Sequence, residues 1–313
     1  MKKIITTPRL YLREFISEDA EAFYRLNLDE EVIRYTGDKP FASIEEARDF
    51  ILKYTAYQDY GIGRWAVVLK ETNEFIGFCG LKYLREKRYV EVGFRLLKHF
   101  WSKGYAKEAA TAAVEYGFST KVYPSIYAHT DVRNTGSAAV LEKIGFTLQK
   151  EIIYDGVEAF LFKKDNPYLS IKAVDSKETY PVRHPVLRKG RPIEDCAFEG
   201  DDEITTLHLA LFFKERMIGV ITLIDRRNPT LPFGRQYQLR GMAIIEEYQR
   251  KGLGNLLLKE SEIRLTKALT NIIWFNAREK AIPFYERAGY KTIGERFEIE
   301  GIGMHHCMVR TLY

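Results

Sequence analysis

Cysteine is scarce. Cys79, Cys196 and Cys307 are the only three in 313 residues, and they lie far apart. An odd, scattered set builds neither a disulfide framework nor a metal-ligand spacing, so a reducing compartment and no resident metal are expected. His184, His208, His305 and His306 are equally scattered and read as core or surface filling, as does Cys196. No apolar run reaches the ~18 residues of a membrane span, and Met1-Lys-Lys-Ile-Ile-Thr-Thr-Pro8 has no apolar stretch long enough for a signal peptide. The expected location is the cytoplasm, with no membrane partner. Long runs of one charge are also missing. Lys and Arg total 48 against 43 Asp and Glu, a net charge of +5, and basic clusters such as Arg85-Glu-Lys-Arg88 are broken by acids. A direct nucleic-acid partner is therefore not expected.

What is present suits a soluble globular chain: 46% hydrophobic and 29% charged residues, with a length that suggests about two domains. Gln249-Arg250-Lys251-Gly252-Leu253-Gly254 is a glycine-punctuated turn between a strand-like run (Leu239 to Ile245) and a leucine-rich helical stretch. A helix start leaves amides without intrahelical partners and adds positive dipole character, which suits a phosphate. Read alone, it is equally an ordinary tight turn between strand and helix. Upstream, Trp101-Ser102-Lys103-Gly104-Tyr105-Ala106 follows another strand-like run. Setting Gly104 on Gly252 aligns the preceding strands without a gap, and setting Gly145 on Gly289 aligns two short helices that each end in glycine. One architecture is written twice.

These motifs resemble the GCN5-related N-acetyltransferase superfamily, whose phosphate-binding signature is Gln or Arg, two residues, Gly, one residue, then Gly or Ala. The second half fits strictly. The first half has Trp101 at the Gln/Arg position, but Trp-x-Lys-Gly-Tyr-Ala, the opening Thr7-Pro8-Arg9-Leu10 and Glu91-Val-Gly93-Phe94 are similar to the subgroup that acetylates N-termini of ribosomal proteins. The resemblance implies an α/β (α+β) mixed-sheet fold in two tandem acyl-CoA N-acyltransferase domains, 1–165 and 168–313, joined near Lys163-Lys-Asp-Asn-Pro167. It also implies acetyl-CoA as cosubstrate and a small-molecule or peptide N-terminal amine as acceptor. Which acceptor, and which oligomeric state, stay open.

The resemblance further implies cofactor contacts from Leu96, Trp101, Ser102, Lys103, Gly104, Tyr105, Ala106 and Asn134 in the first half. In the second it implies Met242, Ala243, Ile244, Gln249, Arg250, Lys251, Gly252, Leu253, Gly254 and Asn276, with Arg278 beside the last. The catalytic candidates are Tyr285, Glu91 and Ser137. Tyr285 is read as an acid toward the departing sulfur, or else as a core aromatic beside Phe284. Glu91 is a base for the ammonium group of the acceptor, or a carboxylate on a solvent-facing strand. Asn134 and Ser137 contact the cofactor's pantetheine and sulfur region, or simply cap a helix. Leu141 stands where relatives carry the tyrosine, and Leu239 stands where the first half has Glu91. One repeat is thus open to a reading as a binding or structural module. An aminoacyl-tRNA-dependent transferase, which also carries two such folds, is disfavoured by the intact phosphate turns.

The remaining elements follow from pattern. Leu10–Phe15 alternates as a strand, and Ser17-Glu-Asp-Ala20 reads as a helix cap. Two helices follow, one through Phe23 and Leu26 and one through Ala47, Phe50, Ile51 and Tyr54. Hairpins are expected over Glu71–Glu74 and over Lys214-Glu-Arg-Met. Ala106, Ala109, Ala110, Ala113, Val114 and Gly117 keep helical spacing with small side chains that allow close approach to a sheet.

Overall fold

The computed structural model describes residues 2–300 and 303–312. The chain divides into two compact units, one up to Asn166 and one from Pro167 on.

The first unit runs β1 (Lys3–Thr6), β2 (Leu10–Arg13), α1 (Ala20–Leu28), α2 (Glu30–Ile33), α3 (Ile44–Leu52), α4 (Ala56–Tyr60), β3 (Arg64–Leu69), β4 (Phe75–Leu84) and β5 (Tyr89–Leu96). It continues through α5 (Tyr105–Ser119), β6 (Ser125–Asp131), α6 (Thr135–Lys143), β7 (Thr147–Tyr154) and β8 (Val157–Asp165). The strands form one sheet in the order β1-β2-β3-β4-β5-β6-β8-β7. Alternation along β3 divides the core between the two faces of this sheet. Ala66 and Val68 pack with Phe23, Leu26, Ala47 and Ile51 of α1 and α3. Trp65 points the other way, edge-on to Tyr116 of α5 at 5.5 Å. α5 lies close because its sheet face is small: a Cβ on Gly117 would stand 2.6 Å from Ile126 and 2.9 Å from Leu81. Asn73, at φ 58°, turns the β3–β4 hairpin where expected.

Ser17–Asp19 departs from the expected cap. It is a short 3-10 turn with no side-chain cap from Ser17. Asp19 sets the geometry instead, accepting from Ile16 N–H at 3.0 Å and from both nitrogens of the Arg13 fork at 2.5 and 2.6 Å. A bidentate ion pair outcompetes a single hydroxyl.

The second unit runs β9 (Leu169–Val174), α7 (Tyr180–Leu187), β10 (Leu207–Phe213), β11 (Arg216–Asp225), β12 (Gln236–Ile244), α8 (Leu253–Lys267), β13 (Ile272–Arg278), α9 (Ile282–Arg287), β14 (Lys291–Ile299) and β15 (Gly303–Thr311). Its sheet order is β14-β15-β13-β12-β11-β10-β9. Each sheet is mixed, with one parallel pair: β5 beside β6, and β12 beside β13. Those pairs are short. β5 and β6 register at Val90↔Ile126 and Glu91↔Tyr127, and β12 and β13 at Gln236↔Ile272 to Gln238↔Trp274. Beyond them, no further pairing between these strands occurs among the described residues, so each sheet opens ahead of its glycine turn.

Candidate active site

Each glycine turn is built from a 3-10 turn, a left-handed residue and a left-handed glycine. Ser102 and Gly104 have φ 60° and 82°; Arg250 and Gly252 have 59° and 88°. The first backbone bond of α5 runs from Glu108 N–H to Gly104 O at 3.0 Å, and that of α8 from Leu256 N–H to Gly252 O at 3.1 Å. Amides ahead of those bonds face away from the helix with the dipole behind them, which is an anion cradle. No acid stands in the first turn of α8. In α5 the one acid, Glu108, is occupied: Thr7 Oγ1 donates to it at 2.6 Å, Arg9 N–H at 2.9 Å and Arg9 Nε at 2.6 Å. Arg9 Nη1 also donates to Lys103 O at 2.9 Å. The opening Thr7-Pro8-Arg9-Leu10 thereby fixes the glycine turn from outside it.

Trp101 departs from the Gln/Arg pattern in type but not in task. Its Nε1 donates to Leu96 O at 2.7 Å, and Gln249 Nε2 donates to Ile244 O at 2.8 Å. Both side chains tie the turn to the carbonyl at the end of the preceding strand. Leu96 and Ile244 thus spend these carbonyls on the protein itself.

A second correspondence joins the units. Gly93 and Gly241 occupy equivalent strand positions, and an arginine crosses each. A Cβ on Gly93 would meet Arg64 Nη2 at 2.6 Å; one on Gly241 would meet the Phe198 ring at 2.6 Å and Arg183 Nε at 3.1 Å. Gly241, at φ 57°, also forms a bulge in β12, where the register against β11 shifts between Val220 and Thr222. Bulges of this kind redirect a strand beside a site.

In the first unit, Arg64 Nη2 donates to Glu91, and Glu91 Oε2 lies 2.8 Å from His129 Nδ1. An ionised carboxylate only accepts, so Nδ1 carries the proton, and in the neutral ring Nε2 accepts from Tyr89 OH at 2.7 Å. Burial alone would push the Glu91 carboxyl up; Arg64 and His129 outweigh it and hold it below the usual carboxylate range. Burial and the Glu91 charge push the Tyr89 phenol up to about 12. Tyr154 stacks on His129 at 4.1 Å. Glu91 is therefore buried and paired, not solvent-facing. Asn134 caps α6, its Oδ1 accepting from Ser137 N–H at 3.0 Å, and Ser137 is half-buried behind it.

In the second unit, Tyr285 is buried among Phe275, Phe284 and Tyr290, with its hydroxyl aimed at Met242 Sδ, 3.6 Å away. That brings it to the residues Met242 to Ile244 at the opened edge of β12. Burial pushes the phenol well above its ordinary value, so it stays protonated and keeps its O–H as a donor. Gly254 lies on the same wall, where a Cβ would stand 3.3 Å from Met242 Cε and 3.5 Å from Phe284. Asn276 is not part of this group. It is exposed and lines a separate cleft of about 520 Å³ with Arg227, Trp274, Glu295 and Cys307. Leu141, the counterpart of Tyr285, is 2% exposed.

Three functional-looking residues carried no local signal. His129 is one histidine in an alternating strand. Arg183 sits on α7 with 0% exposure, and Asp201, its carboxylate partner at 2.5 Å, lies in an irregular loop. Only the folded sheet brings them to the glycines. Among the described residues no group of three or more His, Cys, Asp and Glu is arranged to hold a metal, and no helix is long and apolar enough to cross a membrane.

A mixed sheet that opens ahead of an amide-lined glycine turn, present in both units, defines an acyl-CoA-dependent transferase. Family models for the acetyltransferase (GNAT) domain match residues 9–147 and 197–312. The uncharacterized N-acetyltransferase YitI of Bacillus subtilis is 34% identical over 46% of this chain and 97% of its own. The FsC-acetyl coenzyme A-N(2)-transacetylase of Aspergillus fumigatus is 31% identical over 51% of this chain and 68% of its own. The crystal structure of a GNAT-family acetyltransferase from Bacillus anthracis covers 52% of this chain and 98% of its own, at 26% identity and a TM-score of 0.46. The chain belongs to the GNAT acetyltransferase family, carries its domain in tandem, and is an acetyl-CoA-dependent acyltransferase.

Proposed function

We propose that the protein moves an acetyl group from acetyl-CoA to a primary amine by direct attack, with both reactants bound at once in domains spanning 1–165 and 168–313. The observation that carries this is the outward-facing amide turn at Gly252, with Tyr285 directed at Met242 beside it. Acetyl-CoA supplies an activated thioester, and the residues present suit it: positive-φ glycines, basic Lys103, Arg250 and Lys251, and no uncommitted carboxylate in either turn. Ser102 to Ala106 and Arg250 to Gly254 would hold the diphosphate through backbone amides. Ala243 and Met242, at the opened edge of β12, would position the thioester carbonyl with oriented backbone donors. As the new C–N bond forms and the C–S bond breaks, Tyr285 OH would hydrogen-bond the departing sulfur, which leaves as the thiol by taking up the proton that the amine sheds. In the first unit Glu91, acting through His129 and Tyr89, would draw off the proton of the acceptor ammonium.

An amine acceptor is in keeping with the N-acetyltransferase names of the relatives, including a spermidine N(1)-acetyltransferase of Escherichia coli at 25% identity. Replacing Tyr285 with Phe should lower the second unit's kcat on the order of 10²-fold, read as thiol release in a Glu91→Gln background, with acetyl-CoA affinity retained. An unchanged kcat would remove Tyr285 from the chemistry. The alternative, that one repeat only holds coenzyme A, predicts that activity ignores either Tyr285→Phe or Glu91→Gln entirely.

A further inference from the structure

Arginines from three elements of the second unit gather at the mouth where β12 and β13 part. Arg240, on β12 and two residues before Met242, lies over the Phe198 ring at 4.8 Å. Arg188, which ends α7, lies over the same ring at 5.2 Å. Arg278 ends β13 on the opposite side of the opening. Phe198 itself rests on Gly241 and on Arg183, whose guanidinium is 4.3 Å from the ring.

The acids facing this group are committed elsewhere. Asp201 is held by both Arg183 nitrogens at 2.5 and 3.1 Å. Glu199 pairs with Arg226, at 3.5 Å, and its side chain is 84% exposed. Asp195 gives Arg188 its backbone carbonyl at 3.0 Å, not its carboxylate. Among the described residues, no carboxylate lies within ion-pair distance of Arg188, Arg240 or Arg278. Burial and then Arg226 push the Arg240 guanidinium below its ordinary value. Burial, Arg191 and Arg278 do the same to Arg188. Asp201 and Glu199 offset this only in part at Arg240, and Asp195 at Arg188; half-buried cations that repel one another with no carboxylate in contact suit an incoming anion. The equivalent position to Arg240 in the first unit is Val92, buried and apolar.

We infer that the second unit takes an amine acceptor that also bears an oxyanion, a carboxylate or a phosphate, which Arg240 and Arg188 clasp over Phe198 while Arg278 closes the far side. This inference rests on the acetyl-transfer reading for its chemistry but not for its binding.

The test uses the full chain with L-glutamate, O-phosphoethanolamine and spermidine as probes, in calorimetry with coenzyme A present and in a thiol-release assay with acetyl-CoA. The expected result is that one or both oxyanion amines bind in preference to spermidine, the two arms separating carboxylate from phosphate. Arg240→Gln should weaken that binding at least about tenfold and leave acetyl-CoA affinity unchanged, with Arg240→Lys between. Because Arg240 has no ion-pair partner, Arg240→Gln should keep or raise the melting temperature, whereas a purely structural role would lower it. Oxyanion-amine affinity indifferent to both Arg240→Gln and Arg188→Gln would overturn the inference, as would the absence of any oxyanion-amine binding. RNA retained at physiological salt in place of the small probes would overturn it too. Arginine-dependent binding without thiol release would support the inference while removing the acetyl-transfer reading.

Discussion

Glu91 is clasped by Arg64 and by His129 in a largely buried setting, and that arrangement makes its charge a matter of stability as well as chemistry. Removing one partner from a buried pair leaves the other uncompensated, so Glu91→Gln should cost about 3 kcal/mol at neutral pH. The sign with pH follows from the direction of the shift. The folded carboxyl titrates below its ordinary value near ~4.3, so its contribution is complete above that value and is lost as the pH falls through the lower folded one. Melting curves of wild type and variant should therefore differ most at neutral pH and converge in strong acid. Equal melting temperatures at pH ~7 would show that the pair contributes nothing. Sequence alone places Glu91 on a strand and offers it a catalytic or a solvent-facing role. Its burial depends on Arg64, 27 residues away, and on His129, 38 residues away, and no local pattern encodes contacts at that range.

The elements were legible wherever a repeat or a period existed. Small residues from Ala106 to Gly117 announced α5, the paired glycine turns announced the heads of α5 and α8, and turn residues placed both hairpins. Legibility failed where geometry is set by contacts distant in sequence. The Arg183 contacts that brace β12 come from a region that resembles nothing in the first half, and the bulge at Gly241 leaves no mark beyond one glycine. That bulge carries a prediction. Gly241→Ala places a Cβ at φ 57° and 2.6 Å from the Phe198 ring, and Phe198 is the surface on which Arg240 and Arg188 rest. Gly156 gives the control, because it also has positive φ, 84°, but nothing lies within 4 Å of a Cβ there. Gly156→Ala should cost about 1 kcal/mol of backbone strain. Gly241→Ala should cost about 2–3 kcal/mol and raise the acceptor KM, since ring and strand must shift as well. Matched denaturation midpoints for the two variants would show that Phe198 yields without resistance and that the bulge does not position the arginines.

Across the whole molecule, the same binding element occurs twice while the chemistry around it diverges. Tyr285 corresponds to Leu141 in the other repeat, and Glu91 to Leu239, so each unit keeps one candidate proton carrier that the other has replaced with leucine. Cosubstrate binding, by contrast, is expected of both, because Trp101 and Gln249 tie their turns to the preceding strand by the same bond at 2.7 and 2.8 Å. Substituting aspartate for the helix-cap glycines separates binding from folding. Aspartate tolerates left-handed backbone better than most residues, and in the first unit would lie near the Arg9 guanidinium, so Gly104→Asp and Gly252→Asp should fold. Each puts a negative charge where the proposed function places the diphosphate, and should remove acetyl-CoA from its own turn by at least about a hundredfold in affinity. Calorimetry of the full chain should show one cosubstrate per turn in the wild type, half that in either variant, and none in the double variant. A wild type that already saturates at half occupancy, with only one substitution having any effect, would identify the other turn as structural.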